Sequence, residues 1–341
     1  HALRDLGVDV VLADASPSQL RLAIDYGAGR AARADDRPVL IVVAVPPDVT
    51  ADVVARELAD HPGVVVTDVA SVKLEPLNQL RARGVDLTHY IGSHPLAGRE
   101  RGGAISARAD IFVGRPWVVC RDHETPASDL AIVEGLALDL GAMPLEMTPE
   151  EHDAAVALVS HVPQLVASLL AGRFVDAPDG SLRLAGQGVR DTTRIAASAP
   201  ELWVQILGAN AAPVVDVLDA LADDLRSVAA ALRAPDVPGA RRTVADTIRR
   251  GNDGVERLPG KHGQNRLFEK VVVMVDDTPG QLGRLFGELG VLDVNVEDFR
   301  LEHSPGAQFG LAEISVVPDA VHRTVTGLEA RGWKIASIPD D

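Results

Sequence analysis

Short β-branched runs, apolar on both faces, alternate with stretches of helical period through the first part of the chain. "VDVVLAD" (8–14), "VLIVVAV" (39–45) and "GVVVTDV" (63–69) are runs of this kind. A run without a polar side suits a strand buried on both faces of a parallel sheet. "PDVTADVVARELADH" and "SVKLEPLNQLRARG" read as helices, and "HYIGSHP", "RPWVVCR" and "MPLEMT" as later strands. The alternation over residues 1–147 predicts an α/β fold with a Rossmann-like, doubly wound sheet. "HALRDLG" reads as the end of a helix stopped by Gly7. The chain is therefore expected to begin inside an element, with the first strand of the sheet missing.

The period changes at Thr148. "TPEEHDAAVALVSHVPQLVASLLAGRF" has Thr148 as N-cap and Glu150 and Glu151 in the first turn, followed by apolar residues at helical spacing. "APELWVQILGANAAPVVDVLDALADDLRSVAAALR" and "PGARRTVADTIRRGNDGVERL" continue the pattern, so residues 148–258 are expected to be all-α. The polar stretch 259–266, "PGKHGQNR", reads as a linker. Residues 266–341 follow the order βαββαβ, a ferredoxin-like split.

Length and composition narrow the functional classes. At 341 residues the chain has room for two or three domains. Apolar residues make up 46% but aromatic ones only 3%, so the cores are built from Ala, Val and Leu. The net charge of −16 opposes nucleic-acid binding, while a locally basic pocket can still take an anionic small molecule. Cys120 is the only cysteine, which excludes an intrachain disulfide and a cysteine-based zinc site and points to a reducing, cytoplasmic compartment. No run of about 18 apolar residues stands out and no signal peptide is visible, so no membrane partner is expected.

Candidate chemistry begins at the strand ends. Asp14 closes the first visible strand, where a dinucleotide-binding fold places an acid against the ribose hydroxyls; its charge favours NAD over NADP. An Asp after a strand is also a common turn or capping residue. Val45 and Pro46 in "AVPP" and Ala70 in "DVAS" end the next two strands, where small residues let a nicotinamide ring approach the backbone. The Gly-x-Gly-x-x-Gly turn is expected ahead of His1.

Four stretches together resemble the prephenate and arogenate dehydrogenases of tyrosine biosynthesis: "DVASVK" (68–73), "GSHPLAGRERGG" (92–103), "SHVPQ" (160–164) and "DTTRIAASAPELW" (191–203). The segment with "DDTPGQLGRLF" and "VNVEDFRLEH" is similar to an ACT domain, a small amino-acid-sensing module. The resemblance implies NAD-dependent oxidative decarboxylation of prephenate, with arogenate as the alternative substrate and no metal. It makes His94 the group that deprotonates the substrate hydroxyl, a task suited to an imidazole at neutral pH. Ser71 would orient that imidazole, although it also reads as a helix N-cap. Arg194 would clamp a substrate carboxylate with a buried guanidinium.

Trp203 would approach the pocket across a homodimer formed by the helical domain, or else pack in the core. His161 and Gln164 lie three apart on one helix face, toward the pocket or in helix packing. Many family members carry a second histidine where Gln164 stands, which bears on the choice of substrate. Lys73 reads as a surface or first-turn residue, and a metal site from His152, Asp153 and His161 is disfavoured because the chemistry needs none. Pro279, Gly280 and Asn295 would flank an amino-acid effector pocket, with feedback by tyrosine as the expectation and a purely structural dimerisation domain as the alternative.

Two further readings come from other classes. A non-catalytic amino-acid sensor could keep this fold. A β-hydroxyacid dehydrogenase has a similar plan but relies on a lysine of the long helix, and residues 149–173 contain none.

Overall fold

The computed structural model describes residues 2–98, 104, 107–121, 125–178, 180–258, 268–303 and 308–337. The chain forms two compact units. One comprises residues 1–182 and 191–222, the other residues 183–190 and 223–341.

The first unit holds the α/β sheet and the helices that carry the candidate site. After a short helix α1 (Ala2–Asp5), β1 (Val11–Leu12) and β2 (Arg30–Ala31) pair in parallel around α2 (Pro17–Asp25). A five-stranded sheet follows in the order β3 (Leu40–Val43), β4 (Val65–Asp68), β5 (Tyr90–Pro95), β6 (Pro116–Cys120), β7 (Met143–Met147). All its pairings are parallel except β5 with β6. Among the described residues no strand joins the open edge of β1 to that of β3. Val11, Val39 and Val42 near those edges are exposed.

Period-two alternation divides the core between the two faces of this sheet. Val65, Ile91, Trp117 and Val119 pack on one face with Leu130, Val133 and Leu136 of α5 (Ala127–Asp139). Val43, Val66 and Tyr90 pack on the other with Val54 of α3 (Pro47–Asp60) and Leu77 and Leu80 of α4 (Leu74–Ala82).

The sequence-predicted start at Thr148 is a full capping box: the Thr148 hydroxyl accepts from Glu151 N–H, and the Glu151 carboxylate accepts from Thr148 N–H. The helix it opens is not uniform. α6 (Pro149–Val156) widens into a π turn (Ala157–His161) before α7 (Val162–Gly172). Pro163 has no N–H to return to the preceding turn, and the wider turn accommodates its ring. Contrary to the sequence expectation, Pro149–Gly172 is long and apolar enough to cross a membrane by length and composition. Its polar residues His152, Asp153, His161 and Gln164 are buried within the unit, while Leu158, Val159 and Leu169 are exposed. The next predicted helix also divides. α9 (Pro200–Ala209) and α10 (Ala211–Arg233) meet at Asn210 with a bend of 95°. Between α7 and α9 the chain forms short turns and α8 (Gln187–Thr193), which the apolar pattern does not announce.

In the second unit, α11 (Ala240–Glu256) precedes β8 (Glu269–Asp276), α12 (Gln281–Val291), β9 (Asp298–His303), β10 (Phe309–Val316), α13 (Val321–Glu329) and β11 (Lys334–Ser337). The sheet is antiparallel in the order β11-β8-β10-β9, the βαββαβ arrangement expected from sequence. Its core joins Val271, Val273, Ala312 and Ile314 of the sheet to Leu285, Leu289 and Leu328 of the helices. The predicted linker 259–266 lies outside the described residues.

Candidate active site

A buried ion pair sits where β4 ends and α4 begins. Lys73 bonds the Asp68 carboxylate through Nζ, which also donates to the Ser93 carbonyl at 2.7 Å. Tyr90 Oη and Ala70 N–H supply two more donors to Asp68, at 2.8 and 2.9 Å. Both partners are almost completely enclosed: Lys73 is 2% exposed and Asp68 0%. This corrects the expectation that Lys73 is a surface residue. Its stem lies along Gly92, where an added Cβ would come within 3.4 Å of Lys73 Cδ.

Ser93, next along β5, ties three strands together. Its hydroxyl donates to the Asp68 carbonyl at 2.8 Å and lies 3.1 Å from both Thr67 Oγ1 and Trp117 Nε1. His94 follows at the end of the same strand and is half-buried. Its Nδ1 lies 2.8 Å from His152 Nε2, with the two rings edge-on and their centroids 5.1 Å apart. His152 Nδ1 in turn lies 2.7 Å from Asp153 Oδ1. Asp153 caps α4 from across the unit, accepting from Lys73 N–H and Leu74 N–H at 2.9 Å each. A carboxylate at a helix N-terminus is favoured by the exposed amides and the dipole.

Burial, helped by His152, Lys73 and His161, holds the His94 pKa well below the ordinary 6.5 of imidazole. The neutral, proton-accepting form therefore persists into acid. If His94 is the base, the acid limb of kcat/KM lies below 6.5, and a profile from about pH 5 to about pH 8 reads it directly.

The other expected residues are placed as follows. Ser71 is half-buried beside the Asp68–Lys73 pair in sequence, but α4 takes Lys73 as its N-cap position and Asp153 as its capping side chain, so Ser71 is not the cap. His161 is buried; its Nδ1 lies 3.0 Å from Asn210 Nδ2, which also donates to the Asp153 carbonyl. Burial lowers the His161 pKa to about 4. Trp203 is half-buried, and its ring meets His161 edge-on with centroids 6.0 Å apart. Gln164 is buried beside Ser168 and Ser198. Arg194 lies in a short 3₁₀ turn (Arg194–Ala196) and is exposed, not buried as expected.

Asp14 is exposed, and its Oδ1 accepts from Ser16 N–H at 2.7 Å, the turn role that sequence reading allowed. Val45 is half-buried, Pro46 is the exposed N-cap of α3, and Ala70 is buried after β4. In the second unit Pro279, Gly280 and Asn295 are exposed. Gly280, at φ +91°, is the N-cap of α12, a conformation that suits glycine. Asn295 Nδ2 donates to Glu297 at 2.6 Å. Residues 99–103 of the "GSHPLAGRERGG" stretch lie outside the described residues.

Residues 1–145 match the family model "Prephenate dehydrogenase, nucleotide-binding domain", and residues 148–246 match "Prephenate dehydrogenase, dimerization domain". The chain belongs to the prephenate dehydrogenase family. The probable prephenate dehydrogenase NovF of Streptomyces niveus is 36% identical over 340 residues, covering 97% of this chain and 94% of its own. The solved prephenate dehydrogenase of A. aeolicus, in complex with hydroxyphenyl propionate and NAD+, shares the fold at a TM-score of 0.64 and 22% identity, over 74% of this chain and 92% of its own. Synechocystis arogenate dehydrogenase aligns at a TM-score of 0.59 and 26% identity, over 74% and 94%.

Within this family fold, the polar cluster of Asp68, Lys73, His152 and Asp153 was not assigned a role by sequence reading. The available signal is the polar pair His152-Asp153 inside an otherwise apolar helix.

Proposed function

We propose that this chain catalyses the NAD-dependent oxidative decarboxylation of prephenate to 4-hydroxyphenylpyruvate. The observation that carries the reading is His94: half-buried, at a strand end, and backed through Nδ1 by a buried imidazole. The residues around the strand ends fit NAD. Asp14 offers an exposed carboxylate for ribose hydroxyls, and Val45, Pro46 and Ala70 are small or ring-fixed residues at the ends of β3 and β4 where a flat ring would lie. NAD+, when bound, takes hydride from C4 of the substrate ring. His94 accepts the C4 hydroxyl proton and a carbonyl forms at C4; as CO₂ leaves, the electron pair of the C1–carboxylate bond moves through the ring to the C4 oxygen, which takes a proton back from His94 to give the aromatic phenol. Ser71 steadies the imidazole and substrate, Arg194 pairs with a substrate carboxylate, and His161, Gln164 and Trp203 shape the side-chain end of the pocket.

Gln164 supports arogenate as the second reading, because a neutral amide cannot supply the positive charge that a histidine offers a keto-acid side chain. NADH absorbance with NAD+ and each substrate in turn decides between them. Turnover of prephenate is the expected result, turnover of arogenate alone moves the assignment, and turnover of neither overturns the activity. Exposed Leu158, Val159, Leu169, Leu202 and Val204 on the helical part support a homodimer through residues 148–258. The βαββαβ part (266–341) is read as an ACT domain that takes tyrosine near Pro279, Gly280 and Asn295. The reaction is assigned to the cytoplasm.

A further inference from the structure

We propose that His152 and Asp153 are positioning residues that set the tautomer of His94. This inference rests on the assignment of His94 as the base. With a neutral His152, the hydrogen bonds allow one consistent proton order. Asp153 already accepts two backbone N–H groups, one on each carboxylate oxygen, so both oxygens act as acceptors. His152 Nδ1, 2.7 Å from Asp153 Oδ1, therefore carries a hydrogen. Neutral His152 then has its lone pair on Nε2, and His94 Nδ1, 2.8 Å away, is the donor. The only nitrogen of neutral His94 left to accept a proton is Nε2. During turnover the substrate O–H bond breaks and an Nε2–H bond forms. The resulting imidazolium donates from Nδ1 to His152, whose other side faces a carboxylate.

Burial supports this reading over a structural one. His152 is 0% exposed and Asp153 2%. Capping α4 accounts for Asp153 alone, because any carboxylate there serves the two amides. It does not account for an imidazole enclosed between that carboxylate and His94. The logic is that of a nucleophile-activating triad, with a second imidazole inserted and no covalent step.

The test uses the full chain, saturating NAD+ and whichever of prephenate and arogenate is turned over, with thermal unfolding as the check on folding. Asp153→Ala removes the acceptor of the His152 Nδ1 hydrogen, frees both tautomers, and lowers kcat on the order of 10²-fold or more while KM changes little. His152→Leu loses about as much. His152→Gln, whose side-chain oxygen can occupy the place of Nε2, recovers at least about tenfold over His152→Leu. ¹⁵N NMR of labelled histidine shows His94 with hydrogen on Nδ1 in the unsubstituted protein and a mixture of tautomers in Asp153→Ala. Hydrogen on Nε2 in the unsubstituted protein overturns the proposal. So does a folded His152→Leu that keeps kcat within about threefold. Absence of turnover with both substrates strikes the activity instead, because the tautomer is read without turnover.

Discussion

His94→Asn is expected to lower kcat by about 10²–10⁴-fold, the usual contribution of a positioned general base, with KM for the substrate changed only a few-fold. Asparagine makes this a narrow test. Its amide overlies the Nδ1 side of an imidazole, so it can keep the hydrogen bond to His152, now 2.8 Å, and remove only the far nitrogen. The variant is therefore expected to fold and to bind NAD+. If His94 were only a strand-end residue packed against His152, the substitution would show as a shift in stability with kcat preserved. Each tenfold of rate corresponds to about 1.4 kcal/mol of transition-state stabilisation, well outside assay error. A folded His94→Asn protein with near-normal kcat removes the base from the proposed mechanism.

Much of the scaffold under this residue is legible in the chain. Unbroken β-branched runs announce β4, which is buried along its whole length and so has no polar side to alternate, and also β3, whose Val42 is exposed at the open edge. Thr148 and Glu151 announced a helix start through backbone amides that need acceptors nearby. Other elements left a weaker trace. β2 is two residues long, too short for a period to register. The break at Asn210 falls inside a continuous apolar pattern, and it serves the Asn210 side chain, which reaches the Asp153 carbonyl and His161. The site was half legible for a related reason. His94 stands at a strand end among small residues, whereas His152 and Asp153 acquire their roles from α4 and β5, which lie far away in sequence. Lys73 stands at the start of α4, as one of its two sequence readings has it, but its enclosure is not legible, because lysine is rarely enclosed unless paired and its partner Asp68 gives no local sign of pairing.

That pair supports the second large effect. Lys73→Met is expected to destabilise the protein by about 3–5 kcal/mol, because it strands the Asp68 carboxylate in the interior. Asp68 would keep the Tyr90 hydroxyl and the Ala70 amide, two neutral donors, but lose its counter-charge. Asp68→Asn in the same chain removes the stranded charge, and the double variant is expected to regain most of the loss, since a buried pair replaced as a unit costs little. Urea titration of the four proteins closes the cycle, with a shift in midpoint at constant slope reporting stability alone. A single variant within about 1 kcal/mol of the parent would mean that the carboxylate reaches water, contrary to its complete enclosure. The same lysine helps to lower the His94 pKa, so its loss also moves the acid limb of kcat/KM up toward the ordinary imidazole value. Stability and pH profile thus respond to one substitution through separate routes: the first through Asp68, which the double variant repairs, and the second through His94.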